Sequence, residues 1–178
     1  INVKNCSVVK CVLKGAGSIG AIVGHAGANA ATFTTIENCT VKNCKLTSTD
    51  DGDWRVGVVV GTANNGQCVI NNITESGNTL TQKNASDFKN PKGIKRNYVG
   101  RFVPSGTGHL TIDGVEFNDT HTNAPHSYAA PIFFDLTYTN VDGLTVKNCK
   151  LIGDNDKMNF VYIYGSGNPT NSTFATAS

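Results

Sequence analysis

Charge is scarce in this chain of 178 residues: Asp, Glu, Lys and Arg make up 16% of it, against the usual quarter. The formal net charge is +2, and no basic run exceeds the Lys95-Arg96 pair. This excludes a nucleic-acid binder that works by neutralising phosphates. Long apolar runs are missing as well. None approaches eighteen residues, so no transmembrane helix is expected. The chain opens at Ile1 with no charged start and no apolar h-region, so no signal peptide is read. Without an initiator Met, a processed chain or a segment of a longer one is expected. Cysteine is sparse too, six in all, too few for a disulfide-built scaffold. Neither C-x-x-C pairs nor cysteines beside histidines occur, and a zinc site would want one or the other.

What is abundant is small and polar. Gly is 19, Asn 21, Thr 20 and Ser 10. Such a composition suits turns and strands and argues against a helical bundle, where Ala, Leu, Glu and Lys should dominate. An eleven-residue element recurs without gaps: VKNCSVVKCVL from Val3, IENCTVKNCKL from Ile36 and VDGLTVKNCKL from Val141. Weaker copies are INNITESGNTL from Ile70 and IDGVEFNDTHT from Ile112. A second element follows each copy: IGAIVG at Ile19, VGVVVG at Val56, VGRFVP at Val99, APIFFD at Ala130 and FVYIYG at Phe160. Recurrence every 30 to 40 residues means stacked units rather than one wrapped core.

The first element alternates, so its apolar positions form columns. Cys6, Cys39, Ile73, Val115 and Leu144 share one and are expected to face inward. Cys11, Cys44 and Cys149 share another, with Asn78 or Thr79 and Thr120 in the weak copies. A thiol packs as a small hydrophobe, so these cysteines read as free core residues. A disulfide between neighbouring repeats is the alternative, because adjacent strands lie about 4.8 Å apart. Asn5, Asn38 and Asn72 recur at one position, joined by Gly114 and Gly143. Asn and Gly both tolerate the left-handed backbone that a sharp corner needs. Stacked corner Asn side chains can also bond to one another. The expectation is therefore an all-β parallel β-solenoid of about five coils, one domain over residues 1–178, with an inserted loop at 82–97.

The pairing of a G-x-I-V-G element with an I-x-N-C-x-V element resembles bacterial cell-surface β-helix repeats, including GLUG-type repeats. It is also similar to repeat proteins of gut Bacteroidetes. The resemblance runs from Val3 to about Gly167. It implies a right-handed parallel β-helix in a secreted or cell-surface protein, in a family with many adhesin-like or uncharacterised members. The repeat glycines are partly lost at Gly100–Pro104 and Pro131–Asp135.

The fold also hosts polysaccharide lyases and glycoside hydrolases, so an enzyme must be weighed. An inverting glycosidase needs two carboxylates roughly 6.5–9.5 Å apart. The acidic candidates are spread along the chain without a tuned pair. A lyase would need a Lys or Arg base beside calcium-binding acids, and no such cluster assembles from the repeat. Asp50, Asp51 and Asp53 form a loose run of oxygen ligands, so calcium is the one cofactor considered. A solvated acidic turn is the simpler reading. N-x-Ser/Thr occurs at Asn5, Asn38, Asn72, Asn84, Asn118 and Asn171, as a by-product of the repeat.

The preferred reading is a non-enzymatic module for adhesion or structural display that binds glycan or protein ligands. A polysaccharide lyase or hydrolase is the alternative, and a phage or fibre module the third. A neighbouring domain or a second copy is also considered as partner. The candidate face comes from the second element. Arg101 aligns there with Ala21, Val58, Ile132 and Tyr162, and an Arg is almost never buried unpaired. Strict alternation then turns Val23, Val60, Val103, Phe134 and Tyr164 outward as an apolar stripe. A corner after the glycine would shift the phase and bury one of these columns.

Overall fold

The computed structural model describes residues 1–27, 31–49, 56–64, 66–82, 99–103, 106–119, 132–135, 141–153, 161–164 and 173–174. The surroundings of side chains are described for those of these residues numbered up to 80, and at 109–116 and 144–150. The described residues hold strands and no helix. The first repeat contributes β1 (Asn2–Lys4), β2 (Ser7–Val9), β3 (Val12–Gly15), β4 (Ile19–Gly20) and β5 (Val23–Ala26). The second contributes β6 (Phe33–Lys42), β7 (Lys45–Ser48), β8 (Val56–Gly57) and β9 (Val60–Asn64). The third has β10 (Gln67–Ser76), β11 (Thr79–Gln82) and β12 (Val99–Val103). The fourth has β13 (Gly106–Asp113), β14 (Glu116–Asp119) and β15 (Ile132–Asp135). The fifth has β16 (Val141–Lys147), β17 (Lys150–Gly153) and β18 (Val161–Tyr164), and β19 (Thr173–Phe174) follows.

Each strand pairs in parallel with its equivalent in the next repeat. The longest sheet runs β1-β6-β10-β13-β16-β19, and a second runs β18-β15-β12-β9-β5. A short sheet joins β11, β7 and β3. Parallel neighbours so far apart in sequence follow from the repeat: equivalent residues want equivalent partners.

The alternation along each strand is broken at fixed places. In β6 and β7 the buried set is Thr34, Ile36, Cys39, Val41, Cys44, Leu46 and Ser48. Its spacing opens from two to three at Asn38 and at Asn43. Both have positive φ, at 53° and 54°. A left-handed residue turns the chain and resets which neighbours point inward. The third repeat repeats the pattern with Cys68, Ile70, Ile73, Glu75, Asn78 and Leu80 buried, and its corners are Asn72 (φ 51°) and Gly77 (φ 65°). Leu110, Ile112 and Val115, then Leu144, Val146 and Cys149, continue the columns.

The register corrects the fifth repeat. Leu144 pairs with Leu110 and Val146 with Ile112. Asn148 (φ 51°), not Gly143, is therefore the corner, and Cys149 rather than Leu144 stands behind Val115 in the Cys6–Cys39 column. The second repeat carries two Asn-Cys corners five residues apart, so a five-residue slip superposes one on the other. Packing of Leu144 and Val146 against Leu110 and Ile112 selects the other register.

The third repeat of the second element is corrected likewise. Val99 pairs with Val60, and Arg101 with Thr62 rather than with Val58. Ile132 pairs with Val161, one residue from the expected Tyr162. In the first two repeats Val23 pairs with Val60, as the motif alignment implies.

Candidate functional site

The outer face of the long sheet is built from residues that alternate with the buried ones. Register places Lys4, Glu37, Asn71, Asp113 and Lys147 in one row. The next row is Asn2, Thr35, Val69, Thr111 and Thr145. A third holds Phe33, Gln67 and His109. Across the corner, Ser7, Thr40, Thr74, Glu116 and Lys150 continue the polar surface. Neighbouring strands lie about 4.8 Å apart, so each row is a ladder of side chains at that spacing.

The first row is cross-linked at both ends. Lys4 Nζ lies 2.7 Å from Glu37 Oε1, and Lys147 Nζ lies 3.1 Å from Asp113 Oδ2. Asn148 Nδ2 donates to Asp113 Oδ1 at 2.8 Å. Desolvation acts to raise the Asp113 pKa, but the Asn148 amide and the Lys147 ammonium outweigh it and hold the carboxyl below its ordinary value. At the corner, Asn72 Nδ2 donates to Asn38 Oδ1 at 2.8 Å. The axial bond between stacked Asn side chains is thus formed, and it occupies two of the N-x-Ser/Thr asparagines. His109 Nε2 lies 2.9 Å from Thr145 Oγ1. Phe33, 56% exposed, is the one large aromatic on this face among the described residues.

The residues expected to form a ligand face are distributed differently. Val23 is 8% exposed and Val60 0%, so both are core residues and not part of an exterior stripe. Val58 and Val59 are buried as well, three consecutive valines. The chain bends at Val58-Val59 and at Ala21-Ile22, between β8 and β9 and between β4 and β5. There Ala21 N and Ile22 N donate to Val58 O and Val59 O instead of continuing a ladder. That bend resets the phase, and strict alternation does not hold through it. For Arg101, Phe134, Tyr162 and Tyr164 the backbone lies in β12, β15 and β18, and their side chains lie outside the described residues. Asp50, Asp51 and Asp53, the calcium candidates, and the 83–97 stretch also lie outside them. Among the described residues no three His, Cys, Asp or Glu side chains gather as a metal-binding group.

All six cysteines are free. Cys39, Cys44, Cys68 and Cys149 are buried, whereas Cys6 is exposed and Cys11 half-buried. Among the described residues β1, β2 and β3 are paired on one side, and their inward residues are open there; Leu13 is exposed where Leu46 beside it is fully buried. The corner cysteines share a further role. Cys6, Cys39, Cys44 and Cys149 each direct Sγ at the carbonyl two residues back, at 3.3, 3.1, 3.4 and 3.1 Å. Each thiol thus caps a carbonyl on the near side of a left-handed corner, as a weak donor. The Asn-Cys dipeptide is the sequence signal of this arrangement.

Asn78 stands in the Cys11–Cys44 column and does more than a thiol can. Its Oδ1 accepts from Cys44 N at 3.0 Å. Its Nδ2 donates to Val41 O at 2.9 Å and to Glu75 Oε2 at 2.8 Å. A buried Glu on an otherwise apolar inward column is thereby given a donor. Nothing in the sequence pattern singled out Glu75; the two-plus-three spacing after Asn72 is the signal that could have.

No family model, no curated protein and no solved structure matches the chain.

Proposed function

We propose that this chain is a right-handed parallel β-helix acting as a non-enzymatic display or adhesion module of a secreted or cell-surface protein. Its kin would be the GLUG-type surface repeats. The ligand is a glycan or a protein surface, taken on the outer face of the long sheet. The observation that carries this reading is the register of that face. Polar side chains from successive repeats, Glu37, Asn71, Asp113 and Lys147 in one row and Thr35, Thr111 and Thr145 in the next, point the same way. Cross-bonds to Glu37, Asp113, Lys147 and Thr145 hold these side chains in place before any ligand arrives, which lowers the entropy lost on binding. Phe33 and Gln67 at the edge add a stacking surface and an amide.

The test is binding to an immobilised panel of polysaccharides and extracellular-matrix proteins. Asn71→Ala combined with Phe33→Ala should lower binding to a captured ligand at least tenfold and leave the far-ultraviolet spectrum unchanged. A panel with no captured ligand, or capture that the double variant does not weaken, overturns the assignment of this face. Release of reducing ends or unsaturated sugars from the same panel overturns the non-enzymatic reading.

A further inference from the structure

Two columns place a cysteine of the first repeat directly against one of the second. Lys4 pairs with Glu37 and Ser7 with Thr40, which brackets Cys6 and Cys39. Val9 pairs with Lys42 and Val12 with Lys45, which brackets Cys11 and Cys44. Backbone bonds clamp both places: Thr40 N donates to Cys6 O at 2.9 Å and Lys45 N to Cys11 O at 2.8 Å. Cys6 N lies 3.4 Å from Cys39 Sγ. All four residues directly follow corner residues with positive φ: Asn5, Asn38, Lys10 and Asn43.

We infer that Cys6 with Cys39, and Cys11 with Cys44, are two disulfide-forming pairs that staple the first repeat to the second when a low-molecular-weight disulfide is present. Adjacent parallel strands set the Cα atoms about 4.8 Å apart, inside the range a disulfide spans. The other two cysteines lack this arrangement. Cys68 lies between Thr34 and Leu110, and Cys149 stands behind Val115. With six cysteines in the chain, no thiol remains to pair with either across the next repeat.

The chemistry is thiol–disulfide exchange. The Cys6 thiolate attacks one sulfur of oxidised glutathione and releases one glutathione thiolate. The Cys39 thiolate then attacks the Cys6 sulfur of the mixed disulfide and releases the second. Two protein thiols are oxidised and one glutathione disulfide is reduced to two thiols, whose released thiolates take up, through solvent, the two protons the protein thiols gave up. Exposed Cys6 is the entry point of its pair and half-buried Cys11 of the other. Burial and the neighbouring Cys44 push the Cys11 thiol up to about 11, so this second pair closes more slowly.

The test uses the whole chain, reduced, desalted and incubated with oxidised glutathione. It is then unfolded without reductant, and its thiols are titrated. Two titratable thiols, with Cys6–Cys39 and Cys11–Cys44 peptides in a non-reducing map, support the inference. The Cys6→Ser variant should show three: Cys39, Cys68 and Cys149. Its exposed position makes it tolerant of the change. More than two thiols in the wild-type chain, glutathione retained on Cys6, or any other cysteine connectivity overturns it.

Discussion

Single residues set the corners. Asn38 sits at φ 53° and accepts a bond from Asn72. Left-handed backbone costs a residue with a Cβ about 1–2 kcal/mol, whereas Gly adopts it freely and Asn at reduced cost. Asn38→Ala is therefore expected to cost about 1–2 kcal/mol and Asn38→Gly less than half of that, measured by chemical denaturation. Equal losses would mean that the side-chain bond, not the backbone, matters there. Thr34 presents the opposite case. It is fully buried, and its Oγ1 has no hydrogen-bond partner among the described residues. Thr34→Val removes the unpaired hydroxyl at nearly constant shape and should stabilise the fold by about 1 kcal/mol. Asp113 supplies a pH signature. Its folded-state pKa lies below the ordinary carboxylate value, so its contribution is present above about pH 4 and is lost as pH falls through the folded value. The stability gap between wild type and Asp113→Asn should close as pH drops below about 4, and it should narrow with added salt, because the pair is partly exposed.

At the scale of elements, the glycines of the second element decide how closely two strands approach. A Cβ on Gly61 would lie 2.5 Å from Ile19 N and 2.7 Å from Gly24 O. One on Gly20 would lie 2.7 Å from Gly61 N. Backbone meets backbone there, so neither side can yield by moving a flexible side chain. Gly61→Ala should cost at least about 2 kcal/mol and displace β4 from β9. Denaturation midpoints read the loss, and Gly15→Ala is the control, because no atom lies within contact of a Cβ at that position. The recurring glycines of this element are thus packing residues. The valines between them are buried because the chain bends at Val58-Val59. The same bend explains why an outward stripe of Val23 and Val60 does not form.

Across the whole molecule, repeats contact their neighbours, and stability should follow that order. Strands β6 and β10 are paired on both sides, whereas β1, β2 and β3 are paired on one. Val3, Val8 and Cys11 pack only partly against the core. Amide exchange in β1–β3 should therefore run at least tenfold faster than in the inward halves of β6 and β10. Exchange that is uniform from β1 to β10 would show that the repeats unfold as a single unit instead.

Much of this was legible in the sequence. Low charge, abundant Asn, Gly and Thr and a two-element repeat led to strands without helix and to parallel pairing between repeats. Asn5, Asn38 and Asn72 marked corners because few residue types accept left-handed backbone. The cysteine columns were legible for Cys39 and Cys44, since a residue flanked by alternating apolar positions faces the core. Tertiary structure decided the phase and the register. A five-residue slip leaves the VKNC motif matching either corner of the second repeat, and only packing against Leu110 and Ile112 places Asn148 at the corner. Local alternation likewise carries no information about a bend formed by bonds from Ala21 and Ile22 to the next repeat. Burial of Val60 and of Glu75 was settled there, by neighbours 30 or more residues away, because a side chain's environment in stacked repeats belongs to the repeats beside it.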